Sequence, residues 1–133
     1  MRIDHINRYV SNVEAMISFY TDALGFTLLD QGVKSNGENY AILQSDGMEL
    51  FISEREGFTF DTECNFRHIG FSVENIGELL NDLKSRSYVP QEEKLIVKAF
   101  SRQFYIRDPD GFDIDFIEWT DKDSFYRHLA EKN

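Results

Sequence analysis

The feature that most constrains the fold is an internal repeat. His5-Ile6 opens the segment HINRYVSNV, and His68-Ile69 opens the segment HIGFSVENI 63 residues later. The histidine, the isoleucine, a valine at +5 and an asparagine at +7 occur in both segments. Apolar residues follow with the same displacement, at 13, 16, 17 and 20 and again at 76, 79, 80 and 83. A self-similarity of this length predicts two copies of one supersecondary unit, each opening with a histidine near the start of a strand.

Length and charge limit the classes of function. A chain of 133 residues is long enough for one domain with a real core. The net charge of −10 disfavours nucleic acid and anionic membranes as partners, because both require a basic surface. The sequence has no membrane-spanning apolar run and no signal-peptide pattern, and Cys64 is its only cysteine. These features predict a cytoplasmic protein.

Hydrophobic periodicity predicts a β-α-β-β-β order in a first module, residues 1–53. Ser11 or Asn12 is expected to cap the helix, and Gly25 is expected to end it in the left-handed conformation. The predicted elements are a strand at 3–10, a helix from about 12 to 24, and strands at 26–31, 39–45 and 48–53.

The same plan recurs in a second module, residues 66–120, after a polar linker at 54–65. Asn75 is expected to cap the helix, and Asp108-Pro109-Asp110-Gly111 is typical of a type I turn. The remaining predicted elements are strands at 66–73, 88–89, 94–100, 102–107 and 112–119, and a terminal helix at 121–131. The chain is therefore expected to form a single α+β domain, 1–133, built from two repeated βαβββ modules.

Each module ends in a strand that carries an acid. Glu49 lies in MELFIS and Asp115 in FDIDFIEW, and strand alternation places each acid opposite the apolar face. His5 and His68 also fall on the faces opposite the apolar ones. Two imidazoles and two carboxylates suit a divalent transition metal such as Ni, Co, Zn, Mn or Fe, with positions left open for substrate. The sequence thus predicts a metal site at His5, Glu49, His68 and Asp115.

Other residues receive separate predictions. Arg8 falls on the side where Ile6 and Val10 should pack, which a bulge or an edge position would resolve. His128 is expected on the surface of the terminal helix, and Cys64 lacks the neighbouring base that a nucleophile needs. Four residues that share a face with His5 or Glu49 are predicted to line the substrate: Asn7, Tyr9, Phe51 and Ser53.

Four segments together resemble the vicinal oxygen chelate superfamily, which includes glyoxalase I, bleomycin-resistance proteins and extradiol dioxygenases. The segments are DHINRYVSNVEAMISFYTDALGF, DGMELFIS, RHIGFSV and FYIRDPDGFDIDFIEW. They cover nearly the whole chain, and FYxxxLGF with DPDG is specific for the superfamily. The resemblance implies paired βαβββ modules whose sheets curl into a half-barrel around a divalent metal, with helices on the outer face.

Within that superfamily the chain is most similar to the glyoxalase I branch. The branch has the ligand pattern His, Glu, His, Glu at the positions held by His5, Glu49, His68 and Asp115. Fosfomycin-resistance transferases and extradiol dioxygenases use three ligands and lack the acid at the place of Glu49. Asp115 departs from the pattern because it is one methylene shorter, so it either ligates after a strand shift or holds a metal-bound water.

The resemblance implies a metal-dependent isomerase or lyase that acts on a small metabolite with vicinal oxygens through an enediolate. Glu49 or Asp115 would move the proton as general base. Enzymes of this type that use glutathione grip it with Arg, Asn and Arg at the places of Tyr9, Ser53 and Cys64. A glutathione carboxylate is expected to find no cationic partner here, so glutathione is not the expected substrate.

Two alternatives from the same superfamily stay open at this point. One is a fosfomycin-resistance-like transferase that adds a thiol or water, and the other is a metal-free bleomycin-type drug-binding protein. Superfamily members commonly dimerise, which implies a homodimer. The sequence leaves open whether His5 and His68 meet within one chain or across two.

Overall fold

The computed structural model describes residues 1–61, 63 and 66–132. Cys64, to which the sequence assigned no nucleophilic role, lies outside the described residues. Contacts divide the chain into two compact units. The first is Met1–Asn65 with Asp108–Phe112, and the second is Phe66–Arg107 with Asp113–Asn133. No helix in the described part of the chain is long and apolar enough to cross a membrane.

The first unit holds one mixed sheet covered by one helix. Its sheet has the strand order β1-β4-β3-β2, with β1 parallel to β4 and the other pairs antiparallel. The helix α1 packs on β2, β3 and β4. The elements are β1 (His5–Val10), α1 (Val13–Asp22), β2 (Thr27–Val33), β3 (Asn39–Ser45) and β4 (Met48–Glu54).

Local sequence explains where α1 begins and ends. The Asn12 side chain accepts a 2.8 Å hydrogen bond from the backbone N–H of Ala15, so Asn12 rather than Ser11 is the cap. Gly25 has a φ of +70°, the left-handed conformation that ends a helix at little cost for glycine. The buried side of α1 consists of Val13, Met16, Phe19 and Tyr20.

The second unit repeats the plan with its own four-stranded sheet. The strand order is β5-β8-β7-β6, with β5 parallel to β8, and α2 packs on β7 and β8. The elements are β5 (His68–Ser72), α2 (Ile76–Ser85), β6 (Ile96–Val97), β7 (Ser101–Arg107), β8 (Asp113–Trp119) and α3 (Lys122–Lys132). The prediction of an α+β fold with duplicated modules is confirmed.

Two strand predictions in the second module are wrong. Residues 88–89 form no strand, and the strand predicted at 94–100 is reduced to Ile96–Val97. Val89 is nonetheless buried, so its apolar character serves the core from a loop. Pro90 follows directly and has no N–H to donate to a ladder, which opposes a strand at this point.

Both α1 and α2 begin on a carboxylate from the last strand of their own module. Glu54 accepts a 2.9 Å hydrogen bond from the Val13 N–H, and Glu118 accepts a 3.0 Å bond from the Ile76 N–H. Asn75 occupies the N-cap position of α2, as predicted. Asn75 is left-handed at φ 52° and makes no capping bond with its side chain, so Glu118 supplies the acceptor instead.

Arg8 is explained by a buried ion pair in the first unit. Its guanidinium donates a 2.7 Å hydrogen bond to Asp108 and lies over the ring of Phe112, 4.4 Å from the centroid. Asp108 also accepts from the hydroxyl of Tyr20 and begins a turn closed by a 2.8 Å bond from the Gly111 N–H. β1 is an edge strand of its sheet, so the edge alternative is the one observed, with the charge compensated.

Candidate functional site

The first unit presents one histidine and one carboxylate on the same sheet face. His5 and Glu49 are direct partners in the parallel pairing of β1 with β4. The His5 ring stacks on Phe51, with centroids 4.4 Å apart and planes inclined by 21°. Because partner residues on neighbouring strands point to the same side, His5 and Glu49 are brought together as the sequence predicted.

Each member of this pair has a partner that orients it. His5 Nδ1 lies 2.8 Å from a carboxylate oxygen of Asp4, and donation from Nδ1 leaves the lone pair of Nε2 for a ligand. Glu49 accepts a 3.1 Å hydrogen bond from the side chain of Gln44, its pairing partner on β3. Asp4 and Gln44 are contributions that the sequence analysis did not identify.

The predicted substrate-lining residues also share this face. Asn7 pairs with Phe51 and Tyr9 pairs with Ser53 along the same ladder. Two basic side chains that the sequence did not place here contact the two ends of the Tyr9–Ser53 pair. Arg55 stacks on the Tyr9 ring at 3.6 Å and donates to its hydroxyl, while Lys34 donates to the Ser53 hydroxyl.

The second unit presents His68 and Asp115 on one face of its sheet. Asp115 is 6% exposed, and its Oδ2 accepts a 2.8 Å hydrogen bond from the side chain of Gln103 on the neighbouring strand. Its Oδ1 is buried and has no hydrogen-bond partner among the described residues. Burial raises the pKa of the Asp115 carboxyl, an effect that the hydrogen bond from Gln103 and the nearby His68 oppose.

The two acids hold different places relative to their histidines. Glu49 is the direct partner of His5, whereas the direct partner of His68 is Asp113. Asp115 lies two residues further along β8, opposite Gly70. From the sequence, Glu49 and Asp115 are the acids carried by the last strands of the two modules, but the strand pairing makes Asp113 the counterpart of Glu49. Both acids of β8 share the face of His68, since residues two apart on a strand point the same way.

A metal ion is implied by the resemblance described above. Over residues 1–61, 63 and 66–132, no three or more His, Cys, Asp or Glu side chains form a group that could hold one. Each unit instead supplies a pair, one imidazole and one carboxylate. The chemistry of these donors fits a divalent transition metal. The unpartnered Oδ1 of Asp115 is the atom that most needs a cation or a donor, because a buried carboxylate oxygen without one is costly.

Gln103 is the residue at this site that sequence reasoning missed. It is buried on β7 and paired with Ile117, and it fixes one oxygen of Asp115. The sequence held a signal that could have identified it. Phe104 and Ile106 alternate with Gln103 and Tyr105 along the strand, so Gln103 and Tyr105 share the face opposite the apolar one. His68 lies against Tyr105 in an edge-on contact, with ring centroids 5.8 Å apart.

Comparison with known proteins is consistent with this arrangement. Residues 2–116 match the model of the Glyoxalase/Bleomycin resistance protein/Dioxygenase superfamily. The uncharacterized protein YwbC of Bacillus subtilis (strain 168) is 31% identical over 122 residues, which cover 88% of this chain and 97% of YwbC. The uncharacterized protein YaeR of Escherichia coli (strain K12) is 25% identical over 88% of this chain and 95% of its own. The chain belongs to this superfamily.

Solved structures show the same fold. A glyoxalase family protein from Enterococcus faecalis matches with a TM-score of 0.76 and 27% identity, over 88% of this chain and 97% of that one. The trypanothione-dependent glyoxalase I of Leishmania major matches with a TM-score of 0.69, over 98% of this chain and 94% of that one. At 20% identity the Leishmania enzyme shares the fold alone.

Proposed function

We propose that this protein is a metal-dependent isomerase or lyase of the glyoxalase I type that acts on a small metabolite with vicinal oxygens. Its four metal ligands are His5, Glu49, His68 and Asp115, one imidazole and one carboxylate from each unit. The observation that carries the proposal is the state of Asp115. A carboxylate 6% exposed, with one oxygen held by Gln103 and the other without a hydrogen-bond partner in the described chain, is prepared for a cation.

The roles of the residues follow from their surroundings. When bound, a divalent metal supplies a Lewis acid that polarises a carbonyl and stabilises negative charge on its oxygen. Asp4 and Phe51 hold the His5 ring in place from two sides. Glu49, half-buried and bonded to Gln44, is the carboxylate that takes a proton from the carbon beside the carbonyl and returns it to the neighbouring carbon.

We further propose that the substrate is a free small metabolite rather than a glutathione adduct. Arg55 contacts Tyr9, the residue that holds the place of a glutathione-binding arginine in the enzymes described above. Arg55 is already occupied, because it stacks on Tyr9 and lies 3.7 Å from a carboxylate oxygen of Glu38. A second carboxylate would compete with Glu38 for the same charge. The proposal includes a homodimer, the common state of superfamily members.

Metal analysis of two isosteric variants tests the ligand assignment. Protein purified without chelator is incubated with Ni²⁺, Co²⁺, Mn²⁺ or Zn²⁺, freed of unbound ion, and measured for metal per chain. The wild-type protein should bind one of these ions stoichiometrically. Asp115→Asn should lose that binding, whereas Asp113→Asn should keep it, since Asp113 lies 3.3 Å from Arg107 and is compensated without a metal.

Two results would reject parts of this proposal. Absence of stoichiometric binding of all four ions to the wild-type protein would reject the metal site itself. Loss of binding in Asp113→Asn with retention in Asp115→Asn would assign the fourth ligand to Asp113. The strand pairing makes this second comparison necessary, because Asp113 rather than Asp115 is the direct partner of His68.

A further inference from the structure

A cavity of about 400 Å³ lies in the second unit beneath the terminal helix α3. Its apolar wall comes from the β-sheet side and from the helix, and includes Phe100, Ile117, Trp119 and Phe125. The volume falls within the range of small-molecule sites, roughly 300 to 1,000 Å³. The proposed function gives this cavity no role.

The packing of α3 indicates that the space below it is not filled by the protein. An amphipathic helix on a sheet normally buries a stripe of side chains, yet none of the residues of α3 is buried. The helix is held by ring contacts instead. Phe125 lies 4.8 Å from Trp119 and 6.3 Å from Phe100, and the His128 ring lies 6.0 Å from Phe100. His128, expected to be a surface residue without a role, is thus part of the cavity wall.

The charge around the cavity is opposite to that of the chain as a whole. Lys98, His128 and Lys132 line it, and no Asp or Glu from the described residues does. The complete chain carries 24 acidic residues against 14 lysines and arginines. A local excess of basic side chains around an apolar space favours a ligand with an apolar body and an anionic group.

Position links this cavity to the proposed metal site. Gln103 lines the cavity and donates its side-chain N–H to Asp115. Ile117, also in the cavity wall, is the pairing partner of Gln103 and lies two residues beyond Asp115 on β8. A molecule in the cavity therefore lies one side chain away from a proposed ligand, which is where the body of a substrate belongs.

We propose that this cavity binds a small aromatic carboxylate, with its ring against Trp119 and Phe125 and its acid group near Lys98 and Lys132. The inference deepens the proposed function, because it assigns the substrate of that site to the class of aromatic acids. The inference rests on the proposed function only where it treats the bound acid as the substrate of the metal site. Binding itself requires the cavity and not the metal.

Trp119 provides the measurement, because it is the only tryptophan in the chain. In buffer containing EDTA, titration with 3-phenylpropanoate should change the Trp119 fluorescence saturably. The neutral amide, 3-phenylpropanamide, should bind at least about tenfold more weakly, since a charge-assisted hydrogen bond is lost. The cationic 3-phenylpropylamine should bind more weakly still, and propanoate, which lacks the ring, should not saturate.

Lysine variants identify the contacts of the acid group. Lys98→Gln with Lys132→Gln should weaken 3-phenylpropanoate binding at least about fivefold and leave binding of the amide unchanged. Both side chains are exposed, so the fold should tolerate the substitutions. Lys94→Gln is the matched control, because Lys94 is an exposed lysine of the same unit outside the cavity. The affinity of Lys94→Gln for 3-phenylpropanoate should equal that of the wild-type protein.

The inference is overturned if the acid gives no saturable change, if the amide binds as tightly as the acid, or if the control weakens binding as much as the double variant. These outcomes are separate from those of the metal experiment. Saturable binding of the acid in EDTA by a protein that takes up no metal supports the cavity and rejects the metal site. Stoichiometric metal uptake by a protein that does not bind the acid supports the metal site and rejects the proposal for the cavity.

Discussion

Arg8 and Asp108 form a buried ion pair between residues 100 positions apart in the chain, with a 2.7 Å contact and side-chain exposures of 10% and 0%. The second oxygen of the Asp108 carboxylate accepts the backbone N–H groups of Asp110 and Phe112. One carboxylate thus holds its own turn and fixes that turn to strand β1 of the first unit.

Removal of the arginine should be costly. Arg8→Met leaves the buried Asp108 charge without its cation, and we expect a loss of about 3 kcal/mol in the free energy of unfolding. Arg86→Met is the matched control, because Arg86 makes a contact of the same 2.7 Å length with Asp82 on an exposed helix face. The control should lose less than about 0.5 kcal/mol. Urea denaturation followed by circular dichroism measures both, and equal losses would contradict the assignment.

Tyr20 should make the protein sensitive to alkali. Burial, together with the negative charge of Asp108, raises the pKa of the Tyr20 hydroxyl well above its usual range. Above about pH 10 the unfolded chain releases this proton while the folded chain keeps it, so stability falls by about 1.4 kcal/mol per pH unit. Tyr40 and Tyr105 act in the same direction. The comparison is therefore between wild type and Tyr20→Phe, whose stability should fall less steeply between pH 10 and 11.

The glutamates at the starts of α1 and α2 can be tested in parallel. Glu54→Gln should lower the free energy of unfolding by about 1 kcal/mol, because the Val13 N–H then donates to a neutral amide oxygen instead of a carboxylate. Glu118→Gln should also destabilise the protein, and its effect should depend on pH. Hydrogen bonds from Arg102 and from the Ile76 N–H lower the pKa of Glu118, so its contribution is present above the ordinary glutamate pKa and is lost on acidification.

The readout for this pair is thermal unfolding between pH 3 and 7. The difference in melting temperature between wild type and Glu118→Gln should be largest near pH 7 and should shrink as the pH falls. A difference that stays constant over this range would show that the carboxylate of Glu118 does not act through its charge.

Gln103 should act on the proposed metal site as a positioning residue. Gln103→Leu removes the hydrogen bond that fixes Asp115, and we expect metal affinity to fall by roughly 10- to 100-fold. Gln91→Leu is the control, because Gln91 is an exposed glutamine of the same unit whose side chain donates to the backbone carbonyl of Lys84 and to neither proposed carboxylate ligand. Calorimetric titration with the ion found in the metal analysis gives both affinities. If Gln103→Leu binds the metal as tightly as wild type, Gln103 does not position a metal ligand.

Local sequence patterns predicted most elements but few of their partners. The repeat and the apolar periodicities predicted the element order, because the periodicity of each module matches its own helix and strands. Asn12 and Gly25 marked the limits of α1 because capping depends on neighbouring residues. The partner of Arg8 and the carboxylate that accepts the Ile76 N–H at the start of α2 could not be predicted in this way, since Asp108 and Glu118 lie 100 and 42 positions away.

In the candidate site, too, the sequence predicted what depends on local pattern and not what depends on distant contacts. Strand alternation was enough to place His5 with Glu49 and His68 with Asp115 on common faces. It could not reveal the burial of Asp115, the pairing of His68 with Asp113, or the approach of Arg55 and Lys34 to Tyr9 and Ser53. Each depends on strand register or on side-chain length, which alternating hydrophobicity does not encode.

The glutamates that begin α1 and α2 also bear on the history of the chain. Glu54 and Glu118 occupy corresponding places in the two modules, while Glu49 and Asp115 differ by two residues in their relation to the histidines. Descent from a duplicated gene would leave the two copies free to diverge at different rates in different places. The hydrogen bond at the start of the helix is the same in both modules, whereas the acid proposed as a metal ligand stands in a different register in each.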